Sequence, residues 1–106
     1  MRKKSELPPC PVATTVSLIG SKWKLLIIKF LLNRPYRFNE LQRACDGISQ
    51  KVLTSSLKEL ILDGLVDRTD FKTNPPHVEY SLSKLGEKMK PIIFSMADFG
   101  NYYKQI

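Results

Sequence analysis

Lys51, Thr54, Ser55 and Lys58 recur so that, at about 100° per residue, they share one face of a helix, with Gln50 and Lys51 at its N-terminal end. Leu53, Leu57 and Leu60 occupy the opposite face. The polar set suits recognition by hydrogen bonding: Gln pairs with adenine, Lys with guanine, and a Thr methyl touches the thymine methyl. Short side chains on that face let the helix come close to a partner surface. Ser49 is a good N-cap, and phosphates are drawn to a helix N-terminus. Taken alone, such a face equally describes a solvated surface helix, so its neighbours must decide.

Those neighbours follow with almost no slack between Arg37 and Phe71. Phe38, Leu41 and Cys45 form one apolar stripe, Asp46, Gly47 and Ile48 make a tight turn, and the second pattern runs from Ser49 to Gly64. That is the spacing of a helix-turn-helix, and it predicts DNA as the partner. Beyond Gly64, Leu65 to Phe71 reads as a strand and Lys72 to Pro76 as a proline-containing loop. Val78, Tyr80 and Leu82 then alternate with Glu79 and Ser81. A hairpin there makes a wing whose Arg68, Lys72 and His77 would reach the phosphate backbone or the minor groove, with Arg37 joining this set. An ordinary surface hairpin competes for Lys72, because Asp67 and Asp70 lie close by; His77 reads as structural rather than catalytic or metal-binding.

The remaining elements must hold this unit in place. Residues 1–9 are charged and proline-bearing and are expected to be a mobile arm. Pro11 suits a first helical position, and a helix follows over about Pro11 to Ile19. Ser21 caps a helix from Lys22 to Leu32 that is apolar nearly all round and therefore central to the core. A very short strand is expected at Tyr36 and Arg37. Asn39 then caps the third helix, to Cys45, with Gln42 as its capping-box partner. Ser83 starts a long final helix in which Leu85, Met89, Ile92, Met96, Phe99 and Tyr103 recur at coiled-coil spacing. From Lys84 to Tyr103 it would span about 30 Å, with Pro91 bending it, and would outreach a small domain. Its stripe, with Val12 and Val16 of the first helix, is expected to pair with a second copy.

The chain of 106 residues fits a single domain: arm 1–9, winged-helix core 10–82, dimerisation helix 83–106. The fold class expected is mainly α with a small β-hairpin wing. Lysine and arginine number 17 against 10 acidic residues, a net +7 that favours polyanions. Lys22 to Leu32, the most apolar stretch, is too short for the ~20 residues of a membrane span, and nothing resembles a secretion signal, so the cytoplasm is expected. One histidine, no glycine-rich phosphate loop and no paired acids argue against an enzyme. Cys10 and Cys45 have no zinc-type spacing with His77, so neither a metal nor a cofactor is expected, and they start as free thiols.

Cys10-Pro11-Val12, Ile19-Gly20-Ser21-Lys22-Trp23-Lys24, Arg37-Phe38-Asn39-Glu40-Leu41, Gly47-Ile48-Ser49-Gln50-Lys51-Val52-Leu53-Thr54, Asp63-Gly64-Leu65-Val66 and Pro75-Pro76-His77-Val78-Glu79-Tyr80-Ser81-Leu82 occur in that order. In combination they resemble the HxlR family of transcription regulators over residues 10 to 100. The resemblance implies a homodimer of winged helix-turn-helix domains paired through the first and last helices, with recognition helix 49–62 and wing 69–80. Ile61 and Leu62 stand where that family usually has acidic residues, so the end of this helix is expected to pack against something.

Cys10 sits at the N-cap of the first helix, where the dipole and the nearby Arg2, Lys3 and Lys4 favour thiolate. Some members of the resembling family sense oxidants or electrophiles through a cysteine at this place. The competing reading is an inert cysteine tucked under the dimer helices. Cys45 reads as core; a Cys10–Cys45 disulfide, within or between subunits, requires close approach of their backbones. The leading function is thus a DNA-binding regulator on an inverted-repeat operator, a repressor or dual regulator switched by an oxidant or small molecule. The competing function is a winged helix that binds only another protein.

Overall fold

The computed structural model describes residues 1–106. Four helices, α1 (Pro11–Ile19), α2 (Lys22–Leu31), α3 (Phe38–Ala44) and α4 (Gln50–Leu62), precede an antiparallel hairpin of β1 (Val66–Asp70) and β2 (Val78–Leu82). Helices α5 (Lys84–Glu87) and α6 (Lys90–Lys104) follow. The fold is mainly helical with one two-stranded wing.

Serine caps begin three helices. Ser21, Ser49 and Ser83 accept hydrogen bonds from the backbone N–H groups of Lys24, Val52 and Gly86 at 3.1, 3.1 and 3.0 Å. Each satisfies a donor that the first helical turn leaves unpaired. Helix α3 departs from expectation: it starts one residue before Asn39, at Phe38, with Arg37 in the N-cap position. The Glu40 carboxylate reaches back to accept from the Arg37 backbone N–H at 2.8 Å, a role expected of Gln42 for the Asn39 N–H. Gly47 and Gly64, with φ of 89° and 80°, make the left-handed turns on either side of α4.

The core is built on α2, which meets α3, α4, β2 and α6. Ile27 and Ile28 are fully buried against Leu41 and Cys45 of the α3 end, Leu53, Leu57 and Leu60 of α4, and Leu65 and Val66. The wing pairs Val66 with Leu82 through Asp70 with Val78, and Tyr36 adds a single bridge to Tyr80. That bridge ties the entrance of α3 to the wing.

Two expectations give way. The C-terminal stripe is not one bent helix: Pro91 stands in the first turn of α6, and the chain breaks after Glu87. Proline at the start of a helix costs no hydrogen bond, so here it begins an element rather than bending one. The break turns Met89 into the core at 7% exposure, away from the exposed stripe on which it was expected; Ile93 is the α6 side chain packed against that core. The arm, expected to be mobile, makes a 3-10 turn at Lys4–Glu6 and folds back on the domain. Arg2 donates to both Asp63 carboxylate oxygens at 3.1 and 3.2 Å and to the Ser17 carbonyl at 2.9 Å. Leu62 lines a cleft with Met1 and Arg2, while Ile61 packs on the core.

Candidate nucleic-acid interface

Gln50, Lys51, Thr54, Ser55 and Lys58 are all exposed and line one open groove along α4 with no apolar residue among them. The packing of Leu53, Leu57 and Leu60 beneath sets that orientation. Glu59 is drawn off this face by Lys24, at 2.7 Å, so the groove keeps its positive character. Ser49 is spent as the N-cap, and the Ser55 hydroxyl donates back to the Val52 carbonyl at 3.1 Å.

On the wing, Arg68 is exposed on β1 opposite Tyr80. Lys72 takes a left-handed φ of 53°, and its backbone N–H donates to Asp70 at 2.8 Å. The Asp70 carboxylate thus shapes the turn and leaves the Lys72 ammonium exposed. His77 is brought to Arg37: Nδ1 lies 3.0 Å from the guanidinium and Nε2 lies 2.6 Å from Glu79 Oε2. Beside them, Arg34 stacks on Tyr36 at 3.8 Å and pairs with Glu40 at 3.5 Å. The Arg37 backbone N–H, and then the Arg34 charge, hold the Glu40 carboxyl below the usual glutamate range.

A second face is apolar. Val12 and Val16 of α1 and Ile92, Met96, Phe99 and Tyr103 of α6 are exposed, with Leu85 on α5. Phe94 and Tyr102 are exposed as well, although neither lies on the expected stripe. Such surface is unusual on a monomer.

The cysteines diverge. Both are free thiols; Cys10 is exposed at the N-cap of α1, whereas Cys45 is 1% exposed. Burial pushes the Cys45 thiol up, disfavouring thiolate. Arg2, expected near Cys10, instead holds the Ser17 carbonyl, about 10 Å farther along α1 at 1.5 Å per residue.

A helix-turn-helix with an exposed polar second helix and a hairpin wing has many owners, so sequence likeness decides among them. The model of the HxlR-like helix-turn-helix family matches residues 18–106. The chain belongs to the HxlR family. YdeP of Bacillus subtilis strain 168, described as an uncharacterised helix-turn-helix transcriptional regulator, is 43% identical over 95 residues, 90% of this chain and 74% of its own. The redox regulator HypR in its oxidised form superposes with a TM-score of 0.83 at 41% identity, covering 88% of this chain and 96% of that one. Diamide-treated YodB from B. subtilis gives 0.74 at 33%, covering 89% and 94%. This HxlR-family chain is therefore a transcriptional regulator of the helix-turn-helix type, and DNA binding comes with that family.

Sequence reasoning missed two features of this HxlR-type domain. The Arg2–Asp63 pair joins residues 61 apart, with no local pattern to announce it. Glu79 was legible only as the polar half of an alternating strand; its contact with His77 requires the hairpin to place both side chains.

Proposed function

We propose that the chain acts as a homodimer on an operator of two inverted half-sites, with each α4 entering a major groove, and that bound dimer represses the promoter. The observation that carries this reading is the α4 groove itself: five exposed polar side chains, two of them cationic, and no acid. Gln50, Lys51, Thr54 and Ser55 read base edges near the helix start, and Lys58, Arg68, Lys72 and Arg37 address phosphates. The exposed faces of α1 and α6 support pairing of two copies, because a C2 interface uses the same patch on each. Exposure of Cys10 supports oxidant control, as do neighbours described as a redox regulator and as diamide-treated.

Selection of operator sequences from random DNA, followed by titration at several salt concentrations, tests the reading. Lys51→Ala should cost about 1–3 kcal/mol on the selected operator and much less on random duplex. Lys72→Ala should weaken both alike and lower the salt slope by about one. Equal losses on both DNAs for Lys51→Ala would remove its base-reading role, and no salt-dependent binding would favour a protein-interaction module. Diamide should change operator occupancy by wild type and leave Cys10→Ser protein unaffected; an oxidised wild type that binds as before has no switch at Cys10.

A further inference from the structure

An acidic residue on a DNA-facing wing should repel phosphate, yet Glu79 on β2 is placed where it does the reverse. Arginine donates and cannot accept, so the Arg37 guanidinium 3.0 Å from His77 Nδ1 requires a lone pair on that nitrogen. The ring proton of neutral His77 is then on Nε2, where it donates to Glu79 Oε2 at 2.6 Å. The ring has little other freedom. Its backbone carbonyl accepts from the Phe71 N–H at 2.9 Å, and the Phe71 ring lies 4.7 Å from its centroid. What remains to be chosen is the tautomer, and Glu79 chooses it.

Arg37 is held without losing its charge. Its guanidinium pairs with no carboxylate, in contrast to Arg2 with Asp63, Lys24 with Glu59 and Arg34 with Glu40. A neutral ring orients a full positive charge at the junction of α3 and the wing, on an exposed side chain. We propose that Glu79 and His77 are positioning residues that aim Arg37 at a DNA backbone phosphate, so that a carboxylate on the wing strengthens DNA binding.

This rests on the DNA-binding reading above, and a mixed-sequence duplex suffices as probe because phosphate contacts are sequence-independent. Glu79→Ala removes the acceptor, frees the other tautomer and should weaken binding about tenfold, with a salt slope lower by about one. Glu79→Gln keeps a carbonyl acceptor for Nε2–H and removes the negative charge, so it should bind at least as well as wild type. In an Arg37→Ala background, Glu79→Ala should cost nothing further. Tighter binding by both Glu79 variants would overturn the relay in favour of simple charge repulsion. A loss with Glu79→Ala that persists without Arg37 would overturn it in favour of a merely structural wing contact. Wild type that shows no salt-dependent binding would instead sink the DNA-binding reading and the phosphate clamp with it.

Discussion

At the residue scale the two thiols are separated by access before chemistry. Cys10 stands exposed at a helix start, and Cys45 lies in the core, where burial raises its thiol pKa. A thiol reagent such as 5,5′-dithiobis(2-nitrobenzoate) should therefore titrate one cysteine of the folded protein quickly and the second only on unfolding. Cys10→Ser should abolish the fast phase; a fast phase that survives would mean that the α3 end opens readily and that Cys45 is no core residue. Cys45 was legible in sequence because it shares a stripe with Phe38 and Leu41, and the N-cap place of Cys10 followed from Pro11. The environment of Cys10 was not legible. Arg2 looked near along the chain, yet a nine-tenths buried carboxylate at Asp63 outcompetes an exposed thiol for its guanidinium.

At the scale of elements, local rules succeeded where one dominates and failed where two compete. The extents of α1, α4 and β2 follow from Pro11, Ser49 and the alternation after His77, each a strong local signal. At α3 a second acid-bearing frame, Arg37 with Glu40, prevailed over Asn39 with Gln42, because an ionised carboxylate makes the stronger bond to a backbone N–H. The final stripe kept its heptad spacing but crossed a break, since Met89 serves the core and only Lys90 onward continues as α6. The arm adds an element that no periodicity encodes. Arg2→Ala should leave the Asp63 carboxylate buried and unpaired, lowering stability by about 1–3 kcal/mol, and Tm by roughly 4–8 °C for each kcal/mol lost. Asp63→Asn should cost less, as an amide is cheaper to bury than an unpaired charge. Thermal melts that place Arg2→Ala level with wild type would show that the arm adds nothing to the fold's stability.

At the scale of the whole molecule, α6 is the element least explained by one chain. It has 15 residues, yet Ile93 is its side chain packed against the core, while Ile92, Met96, Phe99 and Tyr103 face outward. A helix of about 22 Å is marginal in water unless an amphipathic face is buried. The α1 face with Val12 at 72% exposure offers further apolar surface. In the proposed homodimer a second copy would cover both by the same operation and would supply the second α4 that an inverted repeat needs. The residues of the sequence stripe are exposed except at Met89, because spacing reports which residues align and not which neighbour they meet. Met96→Asp places a charge in the middle of the face without touching the core, so the monomer should keep its helical spectrum while light scattering reports half the wild-type mass. Specific operator affinity should fall at least tenfold, because one α4 then reads one half-site, while the salt-dependent affinity per protomer for random duplex stays near wild type. Dimeric Met96→Asp protein would place the interface elsewhere. A monomer that still binds the full operator as tightly as wild type would separate recognition from dimerisation altogether.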